Sequence, residues 1–206
     1  MVKQRTVKGI ILFLLVIGLF SFTLLNGKSL ASQRWIVTKA QSEEALAYAM
    51  QYVEHEVAYL FGGRYTIDEY LEAIGDGKEA GIEVGVDSSA VVLNSYRSAI
   101  PGILFRIDET GSRLARDISS SALYHYNTRH ISLDQVRPGD LIFFKNSAGA
   151  ITGVGIYSHT KGNNVVHFIV ASANSGKVVL TNVVIGGNYW ETRVAGFGRL
   201  EYSVIR

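Results

Sequence analysis

Apolar residues first cluster in a run from Gly9 to Leu25, preceded by Lys3, Arg5 and Lys8 and followed by the small-residue tripeptide Ser29-Leu30-Ala31. That order predicts an export segment over residues 1–31, either cleaved after Ala31 or kept as a short membrane anchor. In both cases the flanking positive charges put the rest of the chain outside the cytoplasmic membrane. A linker over 32–41 follows. From Ser42 the pattern turns helical: Leu46, Met50, Val53, Val57 and Leu60 recur at helical spacing, predicting one helix to Leu60 with that stripe on the core and Gly62-Gly63 as its end. Residues 66–86 are polar and glycine-punctuated, with a short helix expected around Asp68 to Ile74. Asp87 then reads as the cap of a helix running from Ser88 to Tyr96 and stopping before Pro101.

The second half has a different period. Gly102 to Gln135 shows no sustained pattern and reads as loop. Arg137-Pro138-Gly139-Asp140 makes a turn into the apolar run Leu141 to Phe144, and Val154–Tyr157, Val165–Ser172, Lys177–Asn182 and Gly198–Val204 are further short runs rich in β-branched and aromatic residues. Helices first and strands afterwards predict an α+β domain over 42–206 with an antiparallel sheet.

Charge and composition narrow the chemistry. The formal net charge of +2 comes from the leader, since Lys3, Arg5, Lys8 and Lys28 precede Ser32 and no acidic residue does. The remainder carries 16 basic against 18 acidic residues and no Lys/Arg cluster, which argues against nucleic acid as a partner. The absence of cysteine excludes disulfides, cysteine metal sites and a lipid-modified cysteine anchor. The histidines His55, His125, His130, His159 and His167 show no ligand spacing with one another or with carboxylates, so no metal or other cofactor is expected.

Four motifs stand in order along the chain: Tyr59-Leu60-Phe61-Gly62-Gly63, Val86-Asp87-Ser88-Ser89, Arg137-Pro138-Gly139-Asp140-Leu141-Ile142-Phe143-Phe144, and Ile151-Thr152-Gly153-Val154-Gly155-Ile156-Tyr157. They resemble, respectively, the Tyr-x-Trp-Gly-Gly, Asp-Cys-Ser, Pro-Gly-Asp-Leu and Thr-His-Val-Gly-Ile-Tyr motifs of the NlpC family of papain-like cell-wall peptidases. The resemblance spans Ala40 to Val204. It implies a nucleophile-bearing helix packed against a sheet that carries the base, and it puts Ser88 at the cysteine position and Gly153 at the histidine position. The third, orienting position falls on Val170 if Ile169-Val170-Ala171-Ser172 matches the family's Ile-His-Ala-Ser, or on His167 if the register slips.

A cysteine at a helix N-terminus beside an imidazole is an abundant thiolate at neutral pH. Serine with no base in reach is a poor nucleophile. The resemblance therefore implies a non-catalytic extracytoplasmic domain that binds peptidoglycan stem peptides or a cell-envelope protein. The alternative is an active endopeptidase or amidase that uses Ser88 with a relocated histidine such as His167. Ligand-contacting positions implied by the resemblance are Asp87 and Ser89, with Tyr59 and Tyr65 as groove candidates. Residues 66–86 are expected to border the groove and to cover or reshape it.

Overall fold

Thr38 starts the first helix. Its hydroxyl accepts from the Gln41 N–H while the Gln41 side chain accepts from the Thr38 N–H, a reciprocal cap. The computed structural model describes residues 33–204, so the expected export segment and its boundary at Ala31 lie outside the described residues. Helix α1 spans Lys39–Glu54, α2 Ile67–Gly75, α3 Ser88–Ala99, α4 Ser120–Tyr126 and α5 Asn188–Arg193. The strands are β1 Trp35–Ile36, β2 Ile103–Arg106, β3 Leu114–Ala115, β4 Thr128–Ile131, β5 Leu141–Lys145, β6 Ile151–Lys161, β7 Val165–Ser172, β8 Lys177–Val184 and β9 Val194–Val204. They form one antiparallel sheet in the order β3-β2-β9-β5-β6-β7-β8, with β1 and β4 also paired to β9. The α+β architecture expected from the element order is therefore the observed one.

Three expectations about elements are corrected. The first helix ends at Glu54, because Glu56 takes a positive φ of 49° and the chain beyond it is extended, with Ala58 bridging Lys177 and Tyr59 bridging Val86. Its buried face is Ser42, Ala45, Ala49 and Tyr52; the larger Leu46, Met50 and Val53 lie only partly buried at its margin. Small residues win the inner face because α1 packs closely on α3 and on the turn before β5: a Cβ on Gly139, whose φ is +90°, would lie 2.1 Å from the Ser42 carbonyl oxygen. Residues 33–38, expected as linker, are docked on the sheet: Trp35 and Ile36 pair with Tyr202 and Glu201, Val37 is buried, and Arg34 pairs with Glu201. Finally, Gly102 to Gln135 holds β2, β3, α4 and β4, elements too short to build a period.

Two apolar layers flank the sheet. On the helix side, Tyr52, Val91, Leu93 and Tyr96 meet Leu141, Phe143, Val154, Ile156 and Ile169. On the far side, Ile142, Phe144, Tyr157, Val166, Phe168, Val183 and Phe197 form a smaller cluster, joined at its edge by Trp190 of α5. Burying these side chains contributes on the order of 1.5–3 kcal/mol each before the chain's entropy cost is set against it.

The Pro138-Gly139-Asp140 turn ties the layers together. The Asp140 carboxylate is fully buried and accepts from Arg199 Nε at 2.9 Å, Arg199 Nη2 at 2.8 Å and the Arg137 N–H at 2.9 Å. The buried Tyr96 hydroxyl donates to the Gly139 carbonyl at 2.5 Å, fixing α3 to the turn. This clamp sets the height of α3 against β5 and β6, and with it the position of the helix's first turn.

Candidate functional site

The start of α3 is placed by a close approach of two loops. A Cβ on Gly63 would lie 2.3 Å from the Gly85 carbonyl oxygen, so the Tyr59–Gly63 loop lies directly on the chain entering α3. The Leu60 N–H donates to Val86 O and the Asp87 N–H to Gly63 O. Asp87 is the cap, its carboxylate accepting from the Ala90 N–H at 2.9 Å, and Ser88 is the first helical residue. The positive end of the helix dipole thus points at the Ser88 position.

Gly153 faces it from β6, paired with Phe144 of β5. A Cβ built on Gly153 would lie 3.8 Å from Ser88 Oγ, and 3.7 Å from the Phe144 ring. These are ordinary contacts, so the position has room for a side chain and carries none. Gly155, one pleat further, differs: a Cβ there would meet Ile169 O at 2.8 Å. Val170 lies on the neighbouring strand and lines the same cleft as Ser88 and Gly153, a space of about 720 Å³ whose wall also includes Tyr59, Phe144 and Phe168. Among its lining residues there is no histidine, carboxylate or lysine.

A second cleft of about 350 Å³ lies on the other side of Ser88, lined by Tyr59, Phe61, Arg64, Asp87, Ser89 and Thr152 among others. Arg64 lines both this cleft and the depression around Glu69, Glu72 and Asp76. Its guanidinium is 2.5 Å from Asp87 and 3.0 Å from Asp117, and it donates to Ser89 Oγ at 3.0 Å. Ser89 in turn donates to Asp87 at 2.8 Å. Arg97 and Arg116 stand in the same charge network as Asp117 and Arg64, so the carboxylates at this end of the site are matched by guanidinium groups.

The expected residues therefore divide. Ser88, Gly153, Val170, Tyr59, Asp87 and Ser89 meet around the start of α3, although Ser89 is almost wholly buried and engaged by Arg64 and Asp87. Tyr65 is elsewhere: its carbonyl accepts from the Tyr52 hydroxyl and from Asn94 Nδ2, and it lines a separate depression beside Glu69, Glu72 and Asp76. His167 does not line either cleft; its ring stacks on His159 of β6 at 4.4 Å, nearly parallel. No residue of 66–86 lines either cleft and both are open, so the expected covering segment is absent; α2 instead borders the Tyr65 depression. Sequence reasoning missed Arg64, directly after Gly63, and Tyr189 of α5, which lines the larger cleft. Arg64 could have been found from its place between two recognised motifs; α5 is too short to leave a periodic signal.

The first turn of α3, with Ser88 on it, faces Gly153 on an antiparallel strand of the sheet. Residues 56–199, well over half of the chain, match the family model of the NlpC/P60 family. The chain belongs to the NlpC/P60 family, whose members act on peptidoglycan. Two solved structures are similar to it in outline. One is a protein described as similar to lipoprotein, NLP/P60 family, from Staphylococcus aureus, with 20% identity, a TM-score of 0.48 and coverage of 89% of this chain and 48% of that one. The other is NlpC1 from Trichomonas vaginalis, with 16% identity, a TM-score of 0.39 and coverage of 80% and 47%. The chain thus spans about half the length of each. No curated protein matches. Among the described residues no helix is long and apolar enough to cross a membrane.

Proposed function

We propose that this chain is a non-catalytic NlpC/P60 domain, exported from the cytoplasm, that binds peptidoglycan stem peptides in the groove around Ser88. The observation that carries the reading is the facing pair itself: Ser88 Oγ looks across 3.8 Å at the Cβ place of Gly153, in a cleft lined by no histidine, while the neighbouring Asp87 carboxylate is engaged by Arg64, Ser89 and the Ala90 N–H. Without a base in hydrogen-bond reach, attack by a serine hydroxyl is not assisted, and the helix dipole alone does not supply the deficit. Peptide recognition does not need that base. Tyr59, Thr152, Ser172, Asn174 and Asn188 offer neutral donors and acceptors along the larger cleft, and the Asp87 carboxylate in the wall of the smaller one suits the free amino end of a stem peptide.

The test is direct. Incubated with purified muropeptides, the protein yields no new peptide fragments by mass spectrometry, and the same muropeptides with a free amino end bind it in calorimetry. Turnover that disappears in Ser88→Ala would overturn the non-catalytic half. Heats indistinguishable from dilution would overturn the binding half.

A further inference from the structure

Arg64 stands between two cavities. On one side it lines the small cleft beside Ser88, and on the other a depression of about 470 Å³ whose remaining wall is Tyr65, Glu69, Glu72, Ala73 and Asp76. Its backbone is fixed: residue 64 bridges Val86, and its carbonyl accepts from Asn94 Nδ2 at 3.3 Å. Its side chain is 35% exposed, so the guanidinium is able to turn while the chain stays in place. The three donors that reach the Asp87 carboxylate, namely Arg64 Nη1, Ser89 Oγ and the Ala90 N–H, all converge on Oδ1. Without Arg64, Asp87 would keep two of them. The other ion pair of Arg64 is to Asp117, a half-exposed carboxylate, and costs little to loosen. The depression offers the guanidinium a second seat. Glu69 there is taken up by the cap at Thr66. Glu72 and Asp76 lie at the C-terminal end of α2, where the helix dipole favours positive charge, and among the described residues neither forms an ion pair.

We infer that Arg64 is a displaceable counter-ion: it holds Asp87 until a ligand ammonium takes that place, and then turns into the acidic depression beside α2. The inference rests on the reading that the free amino end of a stem peptide binds at Asp87, and it adds the residue that sets the affinity and selectivity of that place. An ammonium arriving with Arg64 still seated would meet a guanidinium 2.5 Å from the same carboxylate, and the two like charges would repel. Exchange of one cation for the other leaves Asp87 paired throughout. An acylated amine brings no charge, so displacing Arg64 for it would leave a largely buried carboxylate without a counter-ion. The exchange therefore admits a free ammonium and rejects its acylated form. The same exchange gives the depression a use, since its carboxylates receive the guanidinium that the cleft releases.

Calorimetry on the full-length protein tests this, with one muropeptide that carries a free amino end and the same muropeptide N-acetylated. Arg64→Gln should bind the free-amine form about tenfold more tightly than the wild type does, and the acetylated form no better. Glu72→Gln combined with Asp76→Asn, both at exposed positions, removes the second seat and should weaken binding of the free-amine form several-fold. In the Arg64→Gln background the same two substitutions should change nothing, because no guanidinium is left to turn. That coupling separates a moving Arg64 from the plain field of two nearby carboxylates, which would act in both backgrounds alike. Unchanged or weaker binding of the free-amine form by Arg64→Gln, a gain shared by the acetylated form, or an equal loss in both backgrounds would each overturn the inference and leave the stem-peptide reading standing. Heats indistinguishable from dilution in the wild type and in every variant would overturn that reading, and this inference with it.

Discussion

Gly139 and Gly153 flank the same strand pair and lack side chains for opposite reasons. At Gly139 the backbone leaves no choice, since its φ is +90° and a Cβ would strike the Ser42 carbonyl at 2.1 Å. At Gly153 the nearest atoms to an added Cβ are 3.7 and 3.8 Å away. One glycine belongs to the scaffold that fixes α1, α3 and β5 to one another; the other has room for a Cβ facing Ser88. The difference teaches that the two parts of this fold are separable: packing holds the turn in place, while nothing in packing requires a glycine at position 153.

The largest effect is expected where the scaffold is most constrained. Asp140→Ala leaves Arg199 beside an empty buried site and removes three hydrogen bonds from the turn, so stability in urea unfolding should fall by about 3–5 kcal/mol. A loss under about 1 kcal/mol would show that the turn is held by other contacts. Gly139→Ala should cost about 3 kcal/mol through strain and displacement of α1, whereas Gly153→Ala should change stability by less than about 1 kcal/mol in either direction. Equal losses at the two positions would erase the distinction between them.

Much of the scaffold was legible because its signals are local. The Pro-Gly-Asp turn, the Asp87 cap and the alternating strands each declare themselves within a few residues. The inner face of α1 was not legible, because Ser42, Ala45 and Ala49 are inward for reasons set by Gly139, almost a hundred residues away in sequence. A hydrophobic stripe ranks Leu46 and Met50 above alanine, and close helix packing reverses the ranking. At the site, motif order pointed to Ser88, Gly153 and either Val170 or His167, and the first three line one cleft. Arg64 was invisible as chemistry because its two carboxylate partners, Asp87 and Asp117, come from separate loops. Tyr65 was misjudged for the converse reason: its neighbours in sequence reach the groove, while its carbonyl is held by Tyr52 and Asn94.

If the site was emptied without disturbing the frame, restoring two side chains should restore its electrostatics. In Ser88→Cys the thiol sits at a helix N-terminus alone; adding Gly153→His puts an imidazole within reach of it. The double variant is expected to react with iodoacetamide at neutral pH about tenfold faster than Ser88→Cys, and the absence of other cysteines makes the rate unambiguous. Equal rates would mean that the frame around Ser88 no longer presents the two positions to each other.

The smallest effect concerns the far end of β6, where it carries His159 beside His167 of β7 as stacked cross-strand partners. Burial, then the His159 ring, then Lys161 lower the pKa of His167 below its ordinary value, and its buried Nε2 has no hydrogen-bond partner among the described residues. A histidine whose folded pKa lies below its unfolded value near 6.5 binds fewer protons folded than unfolded between those two values. Its contribution to stability is therefore fully present above pH 6.5 and is lost as pH falls through the folded pKa. His130, lowered by burial and by His125, acts in the same direction and is common to both proteins compared. His167→Gln should thus lose less stability than the wild type between pH 7.5 and pH 5 in parallel urea titrations. Identical pH slopes would show that the stacked pair titrates as freely folded as unfolded, and that neither end of this hairpin is tuned by charge.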